Sequence, residues 1–381
     1  SKCVTYVPSL VLPMFHLTTR HSRYLPAIAK ACELIRQAKR PVIYAGGGVV
    51  NAQAQDELHA LALQCNLPIV NSLRGLGSFD RTHPLSRGVV GMHGQRDTNL
   101  LVYDADVVLG LGVRFSDREI GHRTGFTQNA KIIHVDTDPS EFGKNVDTDV
   151  EIAGDLKEIL GEMVRQLQDV KKEDPPKAVD RDADFEPLQV IEALQALLPE
   201  DTTVVTDVGQ HQMWAMMYWK ARKPRTFVSS GGLGTMGFGT GAAIGAKMAQ
   251  PKSPVVLITG DGSFRMNLTE VLTAVKYQIP LLIVVFNNHS LGMVRQWQGL
   301  FNENRFSEMD IDDPLDLELL CRAYGAEYVG SFQNAEELRL LGEGKDLTRG
   351  VKVLEYVLDH DHYVYPMVAS GQAINQILER G

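Results

Sequence analysis

The chain has 381 residues, of which 44% are hydrophobic and 22% are charged, and its formal net charge is -9. This length exceeds one ordinary hydrophobic core and predicts two domains. The negative charge, without a cluster of Lys and Arg, excludes a typical nucleic-acid-binding surface, and the apolar runs are far too short to span a membrane. The four cysteines form no CxxC pair and indicate neither a disulfide framework nor a zinc site. We expect a protein of the cytoplasm, or of an organelle if the source is eukaryotic.

The first residues predict a strand. Residues 4–7 are β-branched or aromatic and are followed by Pro8. The sequence has neither a starting Met nor a targeting segment. We therefore expect residues 1–24 to be the tail of a preceding domain that is missing, together with a linker.

Residues 25–165 predict an α/β domain with a nucleotide-binding crevice. A helix expected over 25–40 is followed by the strand PVIYA, the glycines at positions 46–48 and a helix over 52–64. Further strands are predicted at 69–71, 107–111 and 131–135, each followed by glycine or charged residues. Because the carboxyl ends of parallel strands share one edge of a sheet, these loops are expected to line one crevice. Three glycines without the full GxGxxG spacing fit a plain tight turn equally well.

A charged, proline-containing segment predicts a boundary between two domains. Residues 166–185 contain little to bury and are expected to form a linker, and residues 186–381 predict a second α/β domain. A helix is expected over 188–198 and a strand over 203–206. The polar run from Asp207 to His211 follows that strand, although a lone histidine is more often a buried structural residue.

A glycine-rich segment follows the strand predicted at 226–230. Gly232-x-Gly234-x-x-Gly237 has the spacing of the Rossmann fingerprint, and Asp261 ends the next strand, near the place of a ribose-binding acid. A NAD-binding oxidoreductase is therefore a rival interpretation. It leaves unexplained the glycines on both sides of Asp261 and the asparagine pair at 287–288.

The stretch from residue 255 to residue 288 predicts a strand, a glycine turn, a helix and a second strand. The strands are expected at 255–259 and 281–286, so Asp261 and Asn288 both follow carboxyl ends of parallel strands. One carboxylate and one amide oxygen, completed by phosphate oxygens and water, are typical ligands of Mg²⁺ bound to a phosphate compound. This corner therefore predicts a magnesium and diphosphate site.

These motifs resemble those of a known family. GDGS followed by NN resembles the fingerprint of thiamin diphosphate enzymes, and NNHSLGMVRQWQ, GMHG and GLGTMGFG are similar to segments of the catalytic large subunit of acetohydroxyacid synthase, also called acetolactate synthase. The likeness covers nearly the whole chain. It implies an α/β fold of two doubly wound parallel-sheet domains, a central FAD-binding domain at 25–165 and a C-terminal domain at 186–381 that binds the diphosphate of thiamin diphosphate.

The resemblance implies a role for each matching residue. The metal ligands would be Asp261, Asn288 and the backbone carbonyl of Ser290. Thiamin diphosphate would contact Val208, Gly209, Gln210, His211, Gly234, Met236, Gly262 and Ser263. Of these, Gln210, His211, Gly234 and Met236 would also be catalytic, and Met293 and Trp297 would line the substrate channel. FAD, as a structural cofactor, would be lined by Gly46, Gly47, Gly48, Ser72, Leu73, Arg74, Gly91, Met92, His93, Gly112, Arg114, Arg118, Asp136 and Asp155.

Two positions depart from the family pattern. Ser116 stands where the family has an acid in its RFDDR segment, which removes one expected FAD contact. Thr240 and Gly241 replace a Leu-Pro pair, so we expect a looser start of the following helix.

The implied reaction is the condensation of pyruvate with pyruvate or 2-oxobutyrate, with release of CO₂, to give acetolactate or acetohydroxybutyrate. This would make the chain part of a transferase of branched-chain amino-acid biosynthesis that works as a homodimer or tetramer, with a possible regulatory small subunit. The family's catalytic glutamate belongs to an N-terminal pyrimidine-binding domain, so we expect these 381 residues to be inactive alone. The sequence is also compatible with pyruvate oxidase, a related enzyme, and with a non-catalytic assembly module.

Overall fold

The computed structural model describes residues 24–177, 184–311 and 315–380, which form two α/β units. Each unit contains one six-stranded parallel sheet with helices on its faces, which confirms the predicted fold class. The strand predicted at 4–7 lies outside the described residues. In the described part of the chain, every helix is too short or too polar to cross a membrane.

The first unit contains, in chain order, α1 (Leu25–Gln37), β1 (Pro41–Ala45), α2 (Gly47–Asn51), α3 (Gln55–Cys65), β2 (Ile69–Asn71), β3 (Ser86–Val89), α4 (Arg96–Tyr103), β4 (Val107–Leu111), α5 (Asp117–Ile120), β5 (Lys131–Asp136), β6 (Val150–Ala153) and α6 (Leu156–Gln166). The strand order is β3-β2-β1-β4-β5-β6. This is the order of dinucleotide-binding folds, in which the direction of winding reverses between β1 and β4 and opens a crevice there.

The second unit contains α7 (Glu186–Ala196), β7 (Thr203–Thr206), α8 (Gln210–Tyr218), β8 (Phe227–Ser229), α9 (Phe238–Ala249), β9 (Val255–Gly260), α10 (Asp261–Asn267), α11 (Glu270–Lys276), β10 (Leu281–Asn287), α12 (Gly292–Phe301), α13 (Leu317–Tyr324), β11 (Glu327–Phe332), α14 (Ala335–Gly342), β12 (Val351–Val357), β13 (Met367–Val368) and β14 (Ile377–Leu378). Its parallel sheet has the order β11-β12-β10-β9-β7-β8, and β13 pairs with β14 separately. Winding reverses between β7 and β9, so the second crevice opens at that point.

The central strands are buried on both faces because they are continuous apolar runs. Along β10, Leu282, Val284 and Phe286 pack into the core on one face of the sheet. The alternate residues Leu281, Ile283 and Val285 pack into the core on the other face. This alternation follows from the period of two in a strand and fixes which residues end up at the strand's carboxyl end.

Several predicted bounds were wrong for local reasons. The helix expected over 52–64 is α3 and begins only at Gln55, because Gln53 adopts a left-handed conformation, and the glycines expected to form a turn begin the short helix α2. Sequence reasoning missed the short strands β3 and β6, which contain charged residues or glycine, and it missed α8. The helix after Gly237 was expected to start loosely, but α9 begins at Phe238, with Gly237 as its N-cap.

The segment at 166–185 was predicted to have little to bury, and this was wrong for its first part. Leu167 and Val170 are buried in the core of the first unit. The Nζ atom of Lys172 donates hydrogen bonds to the carbonyl oxygens of Arg36 and Ala38. The first residues after α6 therefore pack on the first unit.

The first unit holds the carboxyl end of α8 in the second unit. The guanidinium of Arg81 donates to the carbonyl oxygens of Met216 at 2.6 Å, Met217 at 2.8 Å and Trp219 at 2.9 Å. The amide of Gln95 donates to the carbonyl of Met217 at 2.7 Å. The last carbonyls of a helix lack partners within the helix, so these donors satisfy them. Burial lowers the pKa of Arg81 to about 10.

We expect Arg81→Met to destabilise the protein, because it removes three hydrogen bonds that join the two units. The expected cost is about 2–4 kcal/mol, seen as a lower midpoint of thermal unfolding by circular dichroism. Arg349→Met is the control, because Arg349 forms only an exposed ion pair within one turn and its loss should not be measurable. Equal midpoints for the two variants would contradict the role given to Arg81.

Candidate functional site

Both crevices open into one cavity of about 1190 Å³ between the two units. Its walls are the loops after all six strands of the first sheet, the loops after β7, β8, β9 and β10 of the second sheet, and the start of α12. It brings together almost all residues that the sequence pointed to, namely Gly47, Gly48, Ser72, Leu73, Arg74, Met92, His93, Gly112, Arg114, Arg118, Asp136, Asp155, Val208, Gly209, Gln210, His211, Gly234, Met236, Asp261, Gly262, Ser263, Asn288, Ser290, Met293 and Trp297.

Gly46 and Gly91 are the exceptions, because neither is among the cavity-lining residues of the described chain. A Cβ atom on Gly46 would overlap the carbonyl oxygen of Gly112. Gly91 has a φ of 124°, and a Cβ atom there would lie 2.5 Å from the carbonyl oxygen of Arg118. These two glycines therefore allow neighbouring loops to pack closely, and their predicted contact with a ligand stays a prediction.

Asp261 forms the centre of a polar corner. It is the first residue of α10 and only 5% exposed, and its Oδ2 atom accepts no hydrogen bond from the described residues. Burial raises the pKa of Asp261 to about 6. Asn288 and Ser290, also buried, lie in the loop after the neighbouring strand β10. A buried carboxylate with a spare oxygen, beside an amide and a backbone carbonyl, is a donor set that fits a hard divalent cation. We refer to Asp261, Asn288 and Ser290 as the metal corner.

Asp207 shapes the other side of the metal corner. Its carboxylate is fully buried at the end of β7 and accepts hydrogen bonds from the backbone amides of Val208 at 2.9 Å, Gly237 at 2.9 Å and Gly239 at 3.1 Å. Burial raises its pKa, and the three amides lower it. One buried acid thus ties the loop after β7 to the start of α9.

The glycine-rich turn before α9 does not have the features of a NAD-binding turn. In that fold the amides at the helix start bind the pyrophosphate, whereas those of Gly237 and Gly239 donate to Asp207. The strands joined by α9, which are β8 and β9, are separated in the sheet by β7. The turn instead exposes Gly232 and Leu233 and turns back at Gly234, whose φ is 63°.

Gln210 connects the metal corner to two other elements. Its Oε1 atom accepts a hydrogen bond from Asn288 at 3.3 Å. Its Nε2 atom donates to Gln296 at 3.1 Å and to the carbonyl of His362 at 3.0 Å. Gly292 allows this arrangement, because a Cβ atom there would overlap Gln210. The sequence motif contained Gln296 and Gly292, but only the packing shows what they contact.

Two histidines in the cavity are held in the neutral form. Burial lowers the pKa of His211 to about 3, and burial together with the charge of Arg118 lowers the pKa of His93 to about 4. The Nε2 atom of His211 and the Nδ1 atom of His93 have no hydrogen-bond partner among the described residues. Both nitrogens are therefore available to a ligand.

The crevice of the first unit carries cationic and anionic side chains. Arg74, Arg114 and Arg118 are exposed to the cavity, and Asp136 ends β5. Asp155 caps α6 by accepting the backbone amides of Lys157 at 2.8 Å and Glu158 at 3.1 Å, so its carboxylate has a structural role as well.

Ser116, which departs from the family pattern, has a structural role at the start of α5. It forms a capping box with Glu119, in which the backbone amide of Ser116 donates to the Glu119 carboxylate at 3.1 Å. Serine and aspartate are both preferred at an N-cap, so the departure leaves the start of α5 capped.

Met293 and Trp297 lie one turn apart on α12, at the cavity wall. The Trp297 ring packs against Phe301, with 5.1 Å between ring centroids. Between them, Gln296 points into the core, where it exchanges two hydrogen bonds with the backbone of Val364. The helix therefore presents an apolar surface to the cavity and is fixed from behind by a buried amide.

Comparisons with known proteins agree with this geometry. Residues 28–163 match the family described as "Thiamine pyrophosphate enzyme, central domain", and residues 207–343 match "Thiamine pyrophosphate enzyme, C-terminal TPP binding domain". The chain is 42% identical to the probable acetolactate synthase large subunit of Methanococcus aeolicus, over 78% of this chain and 55% of that protein. It is 37% identical to the acetolactate synthase isozyme 3 large subunit of Escherichia coli, over 92% of this chain and 65% of that protein. It is 36% identical to the acetolactate synthase large subunit of Buchnera aphidicola subsp. Schlechtendalia chinensis, over 96% of this chain and 67% of that protein. The chain thus spans between about half and two thirds of the length of these relatives.

We expect Asp207→Ala to destabilise the second unit, because three backbone amides lose their acceptor. A buried donor left unpaired costs about 1–3 kcal/mol, so the thermal midpoint should fall by several degrees. Asp201→Ala is the matched control, since Asp201 lies exposed in a turn of the same unit. If Asp207→Ala melted at the temperature of the unaltered protein, the carboxylate would not hold the turn.

Proposed function

The chain belongs to the acetolactate synthase large subunits, a family of thiamine pyrophosphate enzymes, and on this premise we propose that it takes part in joining two 2-keto acids with loss of CO₂. The substrates would be pyruvate and, as second keto acid, pyruvate or 2-oxobutyrate. The observation that carries the proposal is the metal corner, in which the free oxygen of a buried Asp261 lies at the topological switch point between β7 and β9.

In this proposal the metal corner binds Mg²⁺ and the diphosphate of thiamin diphosphate. Asp261, Asn288 and the carbonyl of Ser290 would hold the cation, and it would neutralise the phosphate charge. Gly262 would let the ligand come near the backbone, since a Cβ atom there would lie 2.9 Å from Leu291 and 3.8 Å from Met236. The cofactor, when bound, supplies an electron sink for the decarboxylation of pyruvate.

Residues of this chain would orient the cofactor and the substrates. The exposed carbonyl of Gly234 would accept a hydrogen bond from the aminopyrimidine, and Met236 would support the ring from one side. Neutral His211 would offer its Nε2 atom to a polar group, whereas Gln210 would hold Asn288 in place. Water-excluding contacts near the reacting atoms would strengthen each of these polar interactions.

Met293 and Trp297 would form the apolar wall against which the second keto acid binds. An apolar wall distinguishes an added methyl group only modestly, by about 1–3 kcal/mol. The same wall therefore supports a chain that accepts both pyruvate and 2-oxobutyrate, and it does not decide which of the two is preferred.

We also propose that the crevice of the first unit binds FAD as a structural cofactor. The 3-2-1-4-5-6 strand order supports a dinucleotide there. Arg74, Arg114 and Arg118 would neutralise its diphosphate, and Asp136 would accept hydrogen bonds from a ribose. Pyruvate oxidase, the rival proposal, would use the flavin as an oxidant.

The relatives are named large subunits, which supports assembly with further chains. We propose a homodimer or tetramer and, as a possible partner, a regulatory small subunit. Among the described residues, the acids that line the cavity are Asp261 and six on the first unit, namely Asp117, Glu119, Asp136, Asp138, Glu141 and Asp155. From the family resemblance we propose that the glutamate used for proton transfer comes from a pyrimidine-binding domain outside these residues.

We expect Asp261→Ala to abolish Mg²⁺-dependent binding of thiamin diphosphate, because it removes the charged ligand of the cation. Isothermal titration calorimetry of the cofactor, with and without Mg²⁺, measures this directly. Asp346→Ala, at an exposed acid that does not line the cavity, should bind like the unaltered chain. Unchanged affinity in the Asp261 variant would refute the metal assignment.

We expect purified protein to retain FAD, with Arg114→Ala weakening it and Arg123→Ala leaving it unchanged. Arg123 pairs with Asp147 on the surface and does not line the cavity. Flavin absorbance and fluorescence after dialysis report the bound fraction. Stoichiometric bleaching of the flavin by pyruvate would favour the oxidase proposal over ours.

A further inference from the structure

We propose that Glu355 is a positioning residue for the metal corner and that it acts through the side-chain amide of Asn287. This inference rests on the proposed function for the identity of the cation and the cofactor. Glu355 lies on β12, next to β10 in the sheet and opposite Val285. Its Oε1 atom accepts a hydrogen bond from the Nδ2 atom of Asn287 at 2.7 Å. Its Oε2 atom accepts one from the hydroxyl of Tyr328 on β11 at 2.8 Å.

The carboxylate determines which way the Asn287 amide faces. An ionised carboxylate only accepts hydrogen bonds, so the amide must present its NH₂ group to Glu355. The Oδ1 atom of Asn287 then faces the opposite way, where it accepts the backbone amide of His289 at 3.2 Å. The charge-assisted hydrogen bond from Asn287 to Glu355 therefore directs the Oδ1 atom of Asn287 towards the loop after β10.

That acceptor stabilises the turn that carries the metal ligands. His289 adopts a left-handed conformation with a φ of 53°, which is uncommon for a residue other than glycine. The turn places Asn288 and Ser290 in the cavity wall, whereas Asn287 is not among the described residues that line it. Within the turn, the Oδ1 atom of Asn288 accepts the amide of Ser290 at 3.1 Å. The geometry of the two ligands thus depends on a side chain that touches neither cation nor cofactor.

A purely structural role for Glu355 predicts a change in stability without a change in cation binding. If Glu355 only joined β11, β12 and β10, both of its hydrogen bonds would matter alike, and only stability would change when either is lost. If it positions the turn, only the bond to Asn287 should affect the cation. Tyr328→Phe removes the other bond without touching Asn287 and is therefore the matched control.

The test is a calorimetric titration of Mg²⁺ into the 381-residue chain and into each variant, at saturating thiamin diphosphate. The midpoint of thermal unfolding of each protein is measured separately, without ligands. Loss of a group that orients a metal ligand typically weakens metal affinity about 10–100-fold, and we expect this for Glu355→Leu. Glu355→Gln should retain most of the affinity, because its Oε1 atom can still accept from Asn287. Tyr328→Phe should bind Mg²⁺ like the unaltered chain, even if its thermal midpoint falls.

Provided that the unaltered chain binds Mg²⁺ and the cofactor, either of two results would overturn this inference and leave the proposed function standing. The first is an Mg²⁺ affinity of Glu355→Leu equal to that of the unaltered chain. The second is a loss of Mg²⁺ affinity in Tyr328→Phe as large as that in Glu355→Leu. If Glu355→Leu does not fold, Asn287→Ala breaks the same hydrogen bond from the other side and should show the same loss of about 10–100-fold. If the unaltered chain binds neither Mg²⁺ nor thiamin diphosphate, the proposed function falls and this inference falls with it.

Discussion

The buried carboxylate of Asp207 is the interaction on which the candidate site depends most. It accepts amides from the end of β7 and from both sides of the start of α9. A buried acid is costly unless such donors surround it, so the loop after β7 and the start of α9 must keep their positions relative to each other for the carboxylate to be tolerated. The space left beside these hydrogen bonds is where Asp261 and the turn after β10 meet, and the exposed Gly232–Gly234 segment borders the same space.

The strands that could be predicted from sequence were those with a simple physical signature. The run at 107–111 is continuous and apolar, and β4 has these bounds. The strand β6 lies at a sheet edge and has only four residues, which are alternately buried and exposed. This alternation is too short to distinguish a strand from a loop in the sequence. The boundary of α2 could not be seen because the break at Gln53 is a backbone conformation and not a residue preference.

The residues of the site were predictable where a motif named them, and the contacts between them were not. Asp261 and Asn288 follow strand ends, so their meeting follows from the parallel sheet alone. In the sequence, Asp207 is recognisable only as part of a polar run. No local pattern indicates that its hydrogen-bond donors Gly237 and Gly239 lie about thirty residues later. The same holds for Glu355, whose partner Asn287 belongs to a different strand. Long-range hydrogen bonds of single side chains leave no periodic trace in a sequence.

The contact of Arg81 and Gln95 with α8 also limits how the two units can move. The helix has nine residues and is therefore about 13 Å long. Its amino end carries Gln210 and His211 into the cavity, and the donors from the first unit hold its carboxyl end. Because the first unit binds the carboxyl end of α8, a rotation of one unit relative to the other would also displace the amino end of this helix. The helix therefore cannot act as a free hinge. Opening the cleft between the two units would therefore disturb the metal corner as well, so the two crevices are mechanically coupled.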